Sequence, residues 1–368
     1  MGIGPVNTGA AAPGGAKVEP VTQASLVRQV IGRLAAIAQT GPVEPKPQVT
    51  LQARLAQAVA AAVQSAAPRQ GGLGPLMADL QQTISALPPA VQAAATRVLA
   101  QQTPLGPTVT PADLKAAVAS SGLFLEARMA AAQAGQAPEA APPPVDLKAA
   151  LLIARQALMQ WAKTATSSPD APLLAGRPAG APPAPPMRQG PPAPQPQAHA
   201  SLPADAAPAV AAGRLLQETD AAIARQELLQ AASLPEALQP TPGRIGPAGP
   251  HWLFELPFTG PQGQGVAQFE VEGEAEGEGR SWARAWRARF SVDLEPFGPL
   301  HAQLSLVGRR AGVALWAERP EVAEQFSAWK GELADALEAA DYLPEVTVVA
   351  GPPPRAPAAA GVLVDRTS

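Results

Sequence analysis

The stretch WRARFSVDL, Trp286 to Leu294, decides the fold of this chain. Trp286, Ala288, Phe290, Val292 and Leu294 are apolar, and Arg287, Arg289, Ser291 and Asp293 between them are polar. That is the period of two of a strand with one face on a core and one in water; Trp282 continues the phase upstream. The pattern repeats on both sides. Before it, Trp252, Phe254, Leu256 and Phe258 alternate, Gly260-Pro261-Gln262-Gly263 supplies a turn, and Ala267, Phe269 and Val271 form the next strand. After it, a turn at Pro296-Phe297-Gly298-Pro299 leads to Leu300, Ala302, Leu304 and Leu306, and Gly308 to Gly312 makes a hairpin into Val313, Leu315 and Ala317.

The period then changes. Pro320 suits a first helical turn and Glu321 complements the helix dipole. Val322, Phe326, Trp329, Leu333, Leu337 and Ala340 follow at helical spacing, predicting a helix that packs on the sheet. Asp341 falls where a left-handed C-terminal residue belongs, and Glu345 to Ala350 reads as a last strand. If its neighbour is parallel, the strand-helix-strand crossover is right-handed. The fold class is α+β: a small C-terminal domain of strands with one dominant helix.

Composition isolates that domain. Twelve of the fourteen aromatic residues lie between Trp252 and Tyr342, whereas thirty-five of the forty-five prolines lie at or before Pro250. Aromatics dominate cores, and Pro/Ala-rich segments without them rarely offset the entropy of ordering. The chain therefore divides into a leader over 1–165 with short amphipathic helices, a Pro/Ala-rich linker over 166–250 with one helix near 211–232, the α+β domain over 251–350, and a flexible tail over 351–368. The leader as a whole reads as largely disordered.

Leader helices are marked at Leu26, Val30, Leu34 and Ile37, at Leu51, Leu55, Val59 and Val63, and at Leu147, Leu151, Leu158 and Trp161. Ala-rich helices of this length are marginal alone; the alternatives are a small bundle or helix-mediated contact with a partner. From Thr166 to Pro208, runs such as Pro182-Pro183-Ala184-Pro185-Pro186 favour polyproline II and an extended spacer.

With 27 Lys and Arg against 30 Asp and Glu, no basic face large enough for nucleic acid is expected. The absence of cysteine excludes disulfides and thiolate chemistry. Met1 to Gly15 lacks the regions of a cleavable signal peptide, and Arg28, Arg33 and Arg54 interrupt the most apolar stretches, so no membrane insertion is expected. His199, His251 and His301 show neither metal-ligand spacing nor a neighbouring Ser nucleophile motif. The alternating Glu272, Glu274, Glu276 and Glu278 lack a calcium-loop pattern, and the glycines from Gly260 to Gly265 match no phosphate loop. No cofactor and no enzyme activity are expected. Arg287 and Arg289, on the polar strand face, are candidates for contact with an acidic partner.

From Arg287 to Val349 the chain resembles the C-terminal domain of the flagellar hook-length control family. The family's L-x-P is Leu294-Glu295-Pro296, its turn glycine is Gly298, its alternating strand holds Leu304 and Leu306, and its helix pattern holds Leu333 and Leu337. Phe297-Gly298 stands for the usual L-G, Ala334 for the usual helix Arg, and Asp341 for the usual glycine. Ser121 to Glu126 and Asp146-Leu147-Lys148 resemble short motifs in the leaders of some members. The resemblance implies a monomeric protein, cytoplasmic and then exported through the flagellar type III apparatus. Its leader gauges hook length, and its C-terminal domain contacts the cytoplasmic part of the export-gate switch protein FlhB. Hook and hook-cap proteins are the other implied partners. A needle-length regulator of a virulence secretion system and a periplasm-spanning Pro-rich adaptor are the rival readings.

Overall fold

The computed structural model describes residues 50–106, 109–135, 146–165, 183–186, 192–235, 238, 249–260, 263–273 and 285–354, and every structural statement refers to these. The helix expected at Leu26–Ile37, Trp282, the glutamates after Glu272, the tail from residue 355 and the spacer over 166–182 lie outside them.

Seven strands form one sheet in chain order: β1 Thr103–Pro104, β2 His251–Gly260, β3 Gly263–Gly273, β4 Ala285–Leu294, β5 Gly298–Val307, β6 Arg310–Ala317 and β7 Leu343–Ala350. Strands β2 to β6 are antiparallel, whereas β1 adds to β2 and β7 to β6 in parallel. Register aligns Phe254, Phe269, Phe290, Ala302, Leu315 and Val348 across one face. The first three rings follow one another with centroids 5.2 Å apart, Phe254 stacked on Phe269 and Phe290 tilted against it, a geometry that adds to their area burial. Strand β1 has no signal in the sequence; Leu105 N–H, bonded to Thr259 O, fastens it to the β2 edge.

The helices are α1 Leu51–Ala66, α2 Leu73–Thr83, α3 Pro89–Leu99, α4 Pro111–Ala119, α5 Leu125–Gln133, α6 Leu147–Ala165, α7 Pro208–Ala232 and α8 Pro320–Ala339. Local chemistry starts and stops them. Thr110 and Asp113 form a reciprocal capping box at α4, and Pro320 occupies the first turn of α8. At the other end of α8, Asp341 takes φ +70°. Tyr342 N–H then reaches Leu337 O and Asp341 N–H reaches Glu338 O, the paired bonds of a Schellman motif.

Of the alternatives open for the leader helices, the structure shows a bundle. α2, α3, α6 and α7 share a core of Leu73, Leu76, Leu80, Val98, Leu151 and Leu215. That core reaches the sheet at Val266, and α7 packs Leu229 and Ala232 on Leu253. α4 and the turn after it cover the aromatic face, where Ala117, Val118 and Leu123 join Phe254 and Phe258. The spacer reading also changes: Pro183–Pro186 and Pro192–Leu202 lie against the bundle and sheet, because buried side chains bond their main chain. Among the described residues, no helix is long and apolar enough to cross a membrane.

Helix α8 lies over β6 and β7 at the far end of the sheet. Its apolar stripe is less covered than its spacing suggests. Val322 and Ala323 are buried, Phe326, Leu333 and Leu337 are half-buried, and Trp329 is 49% exposed. The helix follows the sheet edge, so its C-terminal half meets strand on one side and water on the other.

Candidate functional site

The two candidate arginines stand side by side on the polar face of β4, yet only Arg287 faces outward. It is exposed and 3.8 Å from Glu272. Arg289 is drawn across the register onto Glu270, with Glu272 at 3.5 Å. Glu270 also meets His251 Nε2 at 2.8 Å, and His251 and Glu270 are almost fully buried. His251, Glu270 and Glu272 bring three ligand-type atoms within 4.8 Å of one another. Arg289 inside the group and Arg287 beside Glu272 supply the positive charge that a metal ion would bring, so the group stands as an ion-pair network. The sequence missed it because β3 and β4 must first be placed in register.

Beside it, Ser291 Oγ lies 2.6 Å from His301 Nδ1, and His301 Nε2 lies 3.3 Å from Glu318 Oε1. The structure thus unites a serine and a histidine that sequence spacing keeps apart. The order of ring nitrogens is the reverse of a hydrolase triad, where the nucleophile meets Nε2. Ser291 is 1% exposed and donates its hydroxyl proton to Pro192 O at 2.8 Å. Its oxygen is therefore a clamp on the Pro-rich segment. Burial raises the Asp293 carboxyl above the usual range, opposed by nearby Arg319.

The family-motif residues divide between a locked turn and an open face. Leu294 joins the aromatic cluster, and the Leu294–Gly298 turn is held by Arg319 Nη1, which donates to Pro296 O at 2.6 Å. Gly298 has φ +75°, and an ideal Cβ there would stand 2.8 Å from Arg319 Nε. Leu304 and Leu306 lie half-buried on the aromatic side, opposite Ala288 and Trp286. Leu333 and Leu337 lie half-buried on α8. Together with exposed Trp329, these residues leave an apolar, partly open surface between α8 and stacked Trp252–Trp286.

Two further clusters occupy the helical part. The short motifs Ser121–Glu126 and Asp146-Leu147-Lys148 meet in space: Leu147 N–H bonds Ser120 O, Lys148 pairs with Glu126, Arg128 pairs with Asp146, and Gln230 Nε2 donates to Gly122 O. Burial raises the Asp146 carboxyl, against the pull of Arg128. The second cluster is Asp79, Arg214 and Glu218. Arg214 Nε donates to Glu218 Oε1 at 2.7 Å, and Asp79 accepts from Ser201 Oγ at 2.6 Å and Leu202 N–H at 2.9 Å. Burial first, and then the charge of Asp79, pushes Glu218 up to about 8. Apart from Arg214 and Glu218, four residues apart on α7, the partners in these clusters are distant in sequence and show no spacing.

A mixed sheet with one helix over its β6–β7 end, joined to a helical bundle at β2 and β3, defines an α+β domain on a helical support. Residues 275–357, which take in β4 to β7 and α8, match the family model described as flagellar hook-length control protein FliK. The match spans less than a quarter of the 368 residues. No curated protein and no solved structure matches the chain.

Proposed function

We propose that this chain is an exported ruler of hook length whose C-terminal domain switches type III export from rod and hook subunits to filament subunits. The observation that carries the reading is the hook-length control domain at 275–357, placed behind a long leader. The family is regulatory, and the reading requires no catalysis. FlhB is the proposed receiver of the signal, through its cytoplasmic part. The apolar surface beside Trp329 and the outward Arg287 are the proposed contact, because both are accessible on the matched domain.

The leader's chemistry supports passage through a channel. Its core is rich in alanine at Ala94, Ala95, Ala150, Ala154, Ala211 and Ala222, which bury little area each. With no cysteine in the sequence, no disulfide locks it. The test is deletion of the gene, scored by electron microscopy of hook-basal bodies. Overlong hooks without filaments are expected; hooks of normal length bearing filaments would overturn the reading. Overlong needles of a virulence secretion system would favour the rival.

A further inference from the structure

The described parts of the Pro-rich segment share a phase. Pro192 and Gln195 are buried and Pro183, Pro186 and Ala198 half-buried, all separated by multiples of three; Pro194 and Gln197 are half-buried beside them, and Ala184, Pro185, Ala193 and Pro196 are exposed. Three residues per turn is the period of polyproline II, so one face of an extended helix is laid on the protein. The surface below is built to receive it. Ser291 Oγ donates to Pro192 O, Gln268 Oε1 accepts from Ala193 N–H at 3.0 Å, and Gln197 Nε2 donates to Asp293 O at 3.1 Å. On the α2 side, Gly72 and Gly74 let the segment approach: an ideal Cβ on Gly72 would come within 2.3 Å of Gln195 Oε1, and one on Gly74 within 3.0 Å of Ala198 Cβ. Asp79 fastens the end at Ser201 and Leu202.

We propose that the trough between α2 and the β3–β4 face is a recognition site for an extended Pro/Gln-rich segment, filled in cis by Pro192–Ala198 as a detachable ligand. Carbonyl, amide and every-third-side-chain contacts are the means by which folded domains read such segments. Release uncovers Ser291, Gln268 and the polar face of the hook-length control domain, so this strap acts as an internal competitor for that face. The site goes beyond the export reading and stands or falls independently of it.

The test uses the full chain with residues 192–198 replaced by an equal length of Gly and Ser, and a labelled peptide of residues 190–202 followed by fluorescence anisotropy. Saturable binding to the replaced chain is expected, at least about tenfold tighter than to the intact chain. Adding Gln268→Ala and Ser291→Ala should weaken it by about tenfold, from two hydrogen bonds of roughly 0.5–1.5 kcal/mol each. A scrambled peptide of the same composition should bind worse. Equal binding by the scrambled peptide, or no binding by a replaced chain that still unfolds cooperatively, overturns the proposal. Should the replaced chain fail to fold, hydrogen exchange of the intact chain decides. Amides of Ala193 and Leu202 exchanging ahead of those in β3 and β4 support a detachable strap; exchange together with the strands marks a fixed part of the core and refutes it.

Discussion

Arg225 on α7 is 1% exposed and joins three parts of the chain. Its Nε and Nη2 donate to Glu255 Oε1 on β2 at 2.9 and 2.7 Å, and Nη1 donates to Gln70 Oε1 at 2.7 Å and to Ala184 O at 2.6 Å. Glu255 is fully buried. Arg225→Met keeps an unbranched chain of similar reach but strands the carboxylate without a counter-charge. Breaking such a pair from one side costs about 3–5 kcal/mol, whereas replacing both partners by apolar groups is often close to neutral. Arg225→Met is therefore expected to destabilise by that amount, and Arg225→Met with Glu255→Leu to recover most of it. The assay is urea unfolding followed by far-UV circular dichroism for the helices and by tryptophan fluorescence for the sheet, in a Trp161→Phe background that leaves the fluorescence to the C-terminal region. Both probes should shift together, because the pair ties α7 to β2. A cost below about 1 kcal/mol for the single change would refute the reasoning, as would a shift seen by one probe alone.

Gly298→Ala forces a left-handed conformation that costs roughly 1–2 kcal/mol for an L-residue and drives its Cβ against Arg319; thermal unfolding should show at least that loss, and no change in stability would contradict the turn geometry. For pH, Glu218 in the folded protein holds its proton up to about 8 while the unfolded chain releases it near 4.5, so its stabilisation is complete below about 4.5 and is lost as pH rises through 8. Glu218→Gln should flatten the stability profile across that window by on the order of a few kcal/mol, leaving the smaller slope of Asp146 and Asp293, whose carboxyls burial also raises; an unchanged profile would remove Glu218 as its source. Leu333→Asp places charge on a half-buried helix face, so a loss of about 1–2 kcal/mol is expected in unfolding experiments, with the variant exported but unable to end hook growth. Normal hooks bearing filaments would exclude the α8 face from switching.

The strand at Trp286–Leu294 was legible because apolar and polar residues alternate along it, but burial does not follow that alternation: Ser291 on the polar face is buried under the Pro-rich segment, while Trp286, Ala288 and Phe290 are half-buried. The end of α8 was legible for a local reason: Asp341 could be named as the left-handed residue from its place after the last apolar position. The bundle was half legible. Leucines every fourth residue marked α1 and the start of α6, but Ala94, Ala150 and Ala222 carry no mark that tells packed alanine from solvated alanine. Partners distant in sequence stayed hidden altogether, such as Asp79 with Leu202 and Arg225 with Glu255. The Pro-rich segment misled because its composition is the same whether docked or free; the available signal was the phase shared by Pro183, Pro186 and Pro192.

The bundle core closes late in the chain. Leu73 packs in one cluster with Val266, and Asp79 waits for the amide of Leu202. A ribosome adding about 5–20 residues per second needs about 10–40 s to travel from Leu73 to Val266, and contacts that distant in sequence form slowly even when both partners exist. During synthesis the leader thus emerges well before its own core can be completed. On the proposed export reading, a secretion channel that engages the chain in that interval meets an open polypeptide, with no bundle to pull apart.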